Sequence, residues 1–390
     1  MRFERQDLTI SNFEPRTSNL ELRTTLMRKL LQKILLKPVL WVMNRFSSNP
    51  DKGRVFKALT DLLLSIRQLN VKKGLIVPFE LAKGKFIIFS DQHKGAKDGA
   101  DDFMASESNY VAALNYYHLN GYHFISLGDG EELWENTILN VKKNNPLSFA
   151  AEKQFIPDNA FVKIFGNHDL DWANDPFASL YLKQIYGYQV KIYEGIVLET
   201  NVKNKKFSIF CTHGHQGDKQ SDGNWFSKFF VAKIWAPLQM YLRINPNTPA
   251  YDSTLKTLHN RLMYEWSAQQ KDVLLITGHT HQPVFGSLTH LERLYRQLLF
   301  ARRDKNEELI ATLEKEIQVR KWEATKISGD FLNMKSCYFN SGCCCFSDGD
   351  ITGIEITDGS FYLIKWKMVD GESKRIVLEE TTLVELAKEL

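Results

Sequence analysis

The chain lacks most of what would set it apart from ordinary globular proteins. No apolar run reaches the ~18 residues that a membrane span needs. The nearest candidate, Leu26 to Phe46, is broken by Arg28, Lys29, Lys33, Lys37 and Pro38. The opening Met1-Arg2-Phe3-Glu4-Arg5 carries no apolar stretch, so no secretory leader is expected. With only 11 prolines and 22 glycines in 390 residues, collagen-like and low-complexity architectures are excluded. Cysteine is also scarce. The five present include the consecutive Cys343, Cys344 and Cys345, and adjacent cysteines pair poorly, so no disulfide framework is expected. Free thiols fit a reducing cytoplasm.

What is present is a folding composition, 43% hydrophobic and 25% charged. The length allows two or three domains, or one large domain with insertions. The net charge of +4 is unevenly spread. Residues 1–85 hold about 17 Lys and Arg against about 7 Asp and Glu. A basic segment ahead of a neutral body reads either as a solvated helix or as a contact for an anionic surface.

One arrangement recurs five times: a short apolar run followed by a polar cluster. The runs are Phe86 to Phe89, Phe124 to Leu127, Phe161 to Phe165, Phe207 to Cys211 and Val273 to Ile276. They read as buried strands, and polar clusters at strand carboxyl ends are where an α/β sheet places its site. Helices are expected over Asp101–Leu119, Phe177–Tyr186 and Val55–Leu69. A hairpin should turn at Asp358-Gly359, between Ile351–Ile356 and Phe361–Met368. Three segments stand outside this alternation: the basic amphipathic Leu20–Lys37, the aromatic-rich Asn224–Leu242, and the charged Leu288–Trp322, read as a helical hairpin or one long helix. The expected organisation is a basic helical extension over 1–80 and a sheet domain over 81–370, with helical insertions near 222–270 and 288–328. A helical tail over 371–390 would complete it.

The polar clusters are Asp91-x-His93, Gly128-Asp129, Gly166-Asn167-His168-Asp169, His213 and Gly278-His279-x-His281. Six of the ten histidines fall in or beside them, counting His215. Carboxylates, an amide and imidazoles without cysteine suit Mn, Fe or Zn rather than a structural zinc site. Seven candidate ligands are too many for one ion and suit two, with a carboxylate such as Asp129 between them.

In this order the series resembles the calcineurin-like metallophosphoesterase superfamily over roughly residues 84–286, and through the final hairpin to about 368. The resemblance implies a four-layer αββα sandwich and a two-metal phosphoesterase using Mn, with Fe or Zn as alternatives. It implies that Asp91, His93 and His281 hold one metal, that Asn167, His213 and His279 hold the other, and that Asp129 bridges. It makes His168 the catalytic histidine and Asp169 its orienting partner. The stretch Leu127 to Trp134 and the clusters around His213 and His279 are similar to the branch that cleaves UDP-2,3-diacylglucosamine. That branch usually has Asp where this chain has Glu132, and commonly Arg where it has His168.

The substrate expected is therefore a phosphodiester, phosphomonoester or pyrophosphate, in an amphiphilic or sugar-nucleotide molecule. His215 and Glu132 are candidate substrate contacts, with a purely structural role open for His215. Asn224–Leu242 could cover acyl chains or pack in the core, and Leu20–Lys37 could place the enzyme at an anionic membrane surface. A nuclease of the same superfamily and a non-catalytic metal-binding scaffold are the alternatives. Nucleic acid is not the expected partner, because the positive charge precedes residue 85.

Overall fold

The computed structural model describes residues 50–99, 101–217, 253–320 and 333–390. Leu20–Lys37 and Asn224–Leu242 lie outside these residues. Among the described residues, no helix is long and apolar enough to cross a membrane.

The chain runs α1 (Lys52–Arg67), β1 (Gly74–Pro78), β2 (Phe86–Phe89), α2 (Glu107–Leu119), β3 (His123–Leu127), α3 (Ile138–Asn144), α4 (Pro146–Lys153) and β4 (Phe161–Ile164). It continues α5 (Asp171–Asn174), α6 (Ala178–Tyr186), β5 (Ile192–Tyr193), β6 (Gly195–Val202), β7 (Lys205–Thr212), α7 (Ser253–Ser267) and β8 (Val273–Thr277). It ends β9 (Val284–Phe285), β10 (Leu288–Thr289), α8 (His290–Arg303), α9 (Glu307–Arg320), β11 (Tyr338–Asn340), β12 (Ile351–Thr357), β13 (Ser360–Val369), β14 (Glu372–Thr382) and α10 (Leu383–Glu389).

The strands form two seven-stranded sheets, ordered β1-β6-β7-β8-β11-β9-β10 and β14-β13-β12-β2-β3-β4-β5. Their facing surfaces make the central core. Phe86, Ile88, Ile125, Leu127 and Ile164 of the second sheet meet Ile196, Leu198, Ile209, Leu274 and Ile276 of the first. Helices cover both outer faces. On the first sheet, Leu59, Leu62 and Ile66 of α1 and Met263 and Trp266 of α7 pack on Val197, Phe210 and Leu275. On the second, Tyr110, Ala113, Leu114 and Tyr117 of α2 pack on Ile87, Phe89 and Phe124. This is the αββα sandwich expected.

The boundaries differ from expectation in three places. Residues 52–78 are no extension: the apolar stripe of α1 closes an outer layer, and β1 pairs in parallel with β6 at the sheet edge. Residues 371–390 are not a helical tail. Asp370-Gly371, both at positive φ like Asp358-Gly359, turns the chain into β14, which pairs along β13, and only Leu383–Glu389 is helical. The second helix starts at Glu107 rather than Asp101, because the Asp101 carboxylate accepts from the amides of Phe103 (2.9 Å) and Met104 (3.1 Å) and holds a turn there.

The charged 288–320 stretch is a helical hairpin. A capping box of Thr289 and Glu292 starts α8, and Leu291, Leu294 and Leu298 pack on Leu313 and Ile317 of α9. Arg293 ties it to the body through Glu379 at 2.6 Å.

Candidate metal centre

Strands β2, β3 and β4 of one sheet and β7 and β8 of the other release their polar clusters at the same end of the sandwich. Tight loops bring those clusters together. Asp91, His93, Asp129, His279 and His281 all have positive φ, between 52° and 70°. Each such non-glycine residue costs on the order of 1 kcal/mol, and this kind of strain concentrates at functional sites. The glycines before the ligands are needed for closeness. A side chain on Gly166 would strike the Asp129 carboxylate, and one on Gly278 would strike that of Asp91.

The structure gathers all seven candidate ligands. Asp91, His93 and Asp129 converge as one donor group, and Asp129, His213 and His279 as another. His281 Nε2 lies 3.2 Å from His93 Nε2 and 3.3 Å from Asp91 Oδ1. His213 Nε2 lies 3.1 Å from Asp129 Oδ2 and 3.2 Å from Asn167 Oδ1. The backbone fixes several of these orientations. The His213 ring donates from Nδ1 to the Leu127 carbonyl at 2.9 Å, which leaves Nε2 facing the cluster. Asp91 accepts from the His279 amide at 2.9 Å, and Asp129 Oδ1 from the His168 amide at 2.8 Å.

Among the described residues, no Lys or Arg forms an ion pair with Asp91 or Asp129. Burial alone would raise both carboxyls. His213 and His281 outweigh it at Asp91, and His213 and His168 at Asp129, so both stay well below the usual carboxylate range. Burial would likewise depress His213, yet Asp129 and Asp91 push it up to about 9. Facing imidazole nitrogens, two carboxylates and an amide oxygen make a donor set that fits divalent first-row ions.

His168 is half-buried and stacks on Trp134, with ring centroids 4.3 Å apart. Its carboxylate partner is not Asp169, as expected, but Glu132, whose Oε2 lies 2.7 Å from His168 Nδ1. Asp169 is buried with both oxygens taken by backbone amides, those of Gly130 (2.9 Å) and Gly166 (2.5 Å), so it braces the loops instead. Burial, then Asp129 and Glu131, raise its carboxyl to about 6. Glu132 also meets His93 Nδ1 at 2.9 Å. Burial opposes its ionisation, but His168 and His93 bring it down to about 2. Glu132 thus links two rings of the site rather than projecting as a separate substrate contact.

His215 is buried beside His213, and its Nδ1 has no hydrogen-bond partner among the described residues. Burial and His213 hold it down to about 3. Three contributors were given no site role from sequence, although Trp134 ends the Leu127 to Trp134 motif. Trp134 stacks on His168. His259 donates to the Gly214 carbonyl at 2.7 Å and packs on the His279 ring. Asn340 donates to the Gly278 carbonyl at 2.6 Å. For Asn340 the only available signal was its place at a strand end.

No curated protein matches the chain. Among solved structures, it is similar to Vacuolar Protein Sorting 29 from Cryptosporidium parvum, at 12% identity over 77% of this chain and 98% of that one, with a TM-score of 0.28. It is similar also to a Vps29 single mutant from Entamoeba histolytica, at 13% identity over 76% and 99%, with a TM-score of 0.27. The model of the calcineurin-like phosphoesterase family matches residues 84–283, from just before β2 to just past the last histidine of the cluster, and the chain belongs to that family.

Proposed function

We propose that this metal-dependent phosphoesterase works with a dinuclear centre, manganese being the first candidate, and hydrolyses a phosphoester or pyrophosphate bond in an amphiphilic or sugar-nucleotide substrate. The observation that carries the dinuclear reading is that Asp129 belongs to both donor groups. Asp91, His93 and His281 would hold one ion, Asn167, His213 and His279 the other. When bound, such ions neutralise phosphoryl oxygens and make water acidic enough to serve as a nucleophile near neutral pH.

The chain's own residues do the rest. Glu132 Oε2 lies 2.7 Å from His168 Nδ1 and orients the ring, so that its other nitrogen is the one available for proton transfer to the leaving oxygen. Trp134 fixes the ring plane. Asp169 holds the loops carrying Asp129 and Asn167 at their separation through the Gly130 and Gly166 amides.

The substrate reading has two supports. The segments leaving β3 and β4 line an open pocket of about 220 Å³ with Leu133, Asn136, Trp172, Asp175 and Tyr181 among others, and the Leu133 amide ties it to the His168 carbonyl at 3.1 Å. Aromatic rings with carboxylate and amide acceptors suit a neutral, hydroxylated group such as a sugar ring, and the carboxylates disfavour a polyanion. The amphiphilic part rests on sequence alone, on the aromatic Asn224–Leu242 and the basic Leu20–Lys37. Those segments also motivate peripheral attachment to an anionic leaflet, each Lys or Arg adding on the order of 1 kcal/mol.

The test is hydrolysis by the manganese-loaded chain of a chromogenic phosphodiester, a chromogenic monoester and a UDP-sugar pyrophosphate, with and without an acyl chain. Turnover that chelator abolishes, highest for the acylated pyrophosphate, is the expected result. No turnover of any of them would overturn the hydrolase reading. Equal turnover with and without the acyl chain would overturn the amphiphilic one.

A further inference from the structure

The second sheet ends in a long open edge. Among the described residues the sheets have four edge strands. β1, β10 and β5 are five, two and two residues long, whereas β14 has 11. Long edges are ordinarily blunted, because their unpaired amides and carbonyls are a template for another strand. β14 contains no proline. Among the described residues, no strand lies on its outer side, and no backbone group outside β13 bonds to residues 372–380. At its middle, Val377 and Leu378 are 40% and 41% exposed. The charges on either side of that middle are sorted by sign: Lys374 and Arg375 precede it, Glu379 and Glu380 follow it. The register with β13 gives each a face. Lys374 and Glu379 lie opposite Lys367 and Leu363, on the face turned to the other sheet. Arg375 and Glu380 lie opposite Trp366 and Tyr362, on the face that α2 covers. Both faces therefore read base, middle, acid. A bulge produces this: Ile364 pairs with Val377 and Leu363 with Glu379, so Leu378 has no opposite residue and the alternation shifts by one. Arg375 already meets Glu355 at 2.8 Å, and Glu379 meets Arg293 at 2.6 Å. Lys374 and Glu380 are exposed. Lys374 stands opposite Lys367, a like-charge pair that destabilises a sheet unless an acid comes between.

We propose that β14 is a homodimer interface, pairing antiparallel with β14 of a second copy about a two-fold axis at Val377 and Leu378. Such an axis lays the basic half of each strand on the acidic half of the other, on both faces. Arg375 falls opposite Glu380 of the second copy, and Lys374 falls diagonal to its Glu379. The acid that the Lys374–Lys367 pair lacks is thereby supplied. The same pairing satisfies the open backbone groups and covers Val377 and Leu378 with their own copies. Glu372, at the first position, falls beyond the acids at the far end of the second strand. Parallel pairing would instead set base against base and acid against acid. The edge lies three strands from β2, the nearest strand of its sheet that delivers a candidate ligand, so the metal centre takes no part in the interface.

The test is the mass of the full-length chain in solution, read by light scattering. The expected result is twice the 45.1 kDa of one chain. Glu380→Lys sets a second cation opposite Arg375, and Lys374→Glu sets a carboxylate beside Glu379. Each should return the mass to that of one chain while leaving the circular dichroism of the fold unchanged. In both variants the amides of residues 372–380 should exchange with deuterium faster than in the parent, because the outer hydrogen bonds are gone. Val377→Cys, at the axis, should join two copies through a disulfide under mild oxidation. Leu147→Cys, exposed on α4, should not. A single-chain mass for the unaltered protein overturns the proposal. A dimer that both charge variants leave intact is built on another surface and overturns it too. So does unchanged exchange over residues 372–380 when the variants dissociate, or cross-linking no greater at Val377→Cys than at Leu147→Cys.

Discussion

Two groups of buried charge sit one residue apart along the chain and are built on opposite plans. The donor cluster of Asp91, His93, Asp129, His213, His279 and His281 is made of carboxylates and imidazoles. Next to it, Lys94, Glu131, Glu152 and Lys163 are each fully buried and form a closed quartet. Lys94 meets Glu152 at 2.6 Å and Glu131 at 3.3 Å, and Lys163 meets Glu131 at 2.9 Å. Trp172 donates to Glu131 Oε2 at 2.7 Å, and Tyr110 and Tyr186 donate to Glu152 Oε1 and Oε2 at 2.9 and 2.6 Å. Two cations balance two anions and the hydrogen bonds close. The difference separates a structural feature from a functional one: both are buried and charged, but only the first is arranged to receive a cation from outside.

The comparison breaks most sharply at Asp129, which serves both donor groups. Asp129→Asn should leave the fold intact, lower the bound metal and abolish hydrolysis, as read by metal analysis and turnover. Full metal content with normal turnover would remove Asp129 from the centre. Next is His168, which lies at the cluster without being one of its proposed ligands. His168→Ala should keep the metals and lower turnover by ~10²–10⁴-fold. Loss of metal in that variant would make it a ligand. Glu132→Gln should reproduce part of the fall in turnover, since it removes the carboxylate that holds the His168 ring.

The donor cluster was legible in the sequence because each of its pieces is local. An apolar strand delivers the polar residues that follow it, and five strand ends meet at one end of a sandwich. The partner of His168 was not legible for the same reason. Asp169 is adjacent in sequence, but Glu132 is the residue that reaches the ring. The loop after β3 folds back, with the Glu132 amide donating to the Lys94 carbonyl and that of Leu133 to His168, each at 3.1 Å. Nothing local encodes that return. The quartet was invisible too, because its lysines and glutamates come from four separate segments and look like surface residues one at a time. Residues 52–78 were read as an extension because the apolar stripe of α1 does not say which sheet it covers. β14 was missed although Asp370-Gly371 carries the same turn signal as the hairpin before it.

The quartet side of the comparison is tested by stability. Lys163→Met leaves the buried Glu131 with the Trp172 hydrogen bond and the longer Lys94 contact, and should cost ~3–5 kcal/mol, the usual range for removing one partner of a buried pair. Urea unfolding of the chelator-treated protein measures this without a contribution from bound metal. A change below ~1 kcal/mol, the scale of an exposed pair, would show that the quartet does not behave as a closed buried unit.

The smallest effect is the pH dependence of that difference. Burial would raise the Glu131 carboxyl, but Lys163 and Lys94 bring it from 4.5 down to about 2. A carboxyl lowered in the folded state contributes stability that is fully present above its unfolded value and is lost as pH falls through its folded value. The Glu131 contribution should thus hold above about pH 4.5 and fade towards about pH 2. In Lys163→Met the stronger of its two lysine interactions is gone, so less remains to be lost. The stability gap between the two proteins should therefore narrow as pH falls through this window. Asp91, Asp129 and Glu132 titrate in both proteins, and taking the difference removes their common contribution. A gap that stays constant from pH 6 to pH 3, on the order of the range where carboxylates titrate, would mean that Lys163 stabilises the fold by packing its methylenes and not by its charge on Glu131.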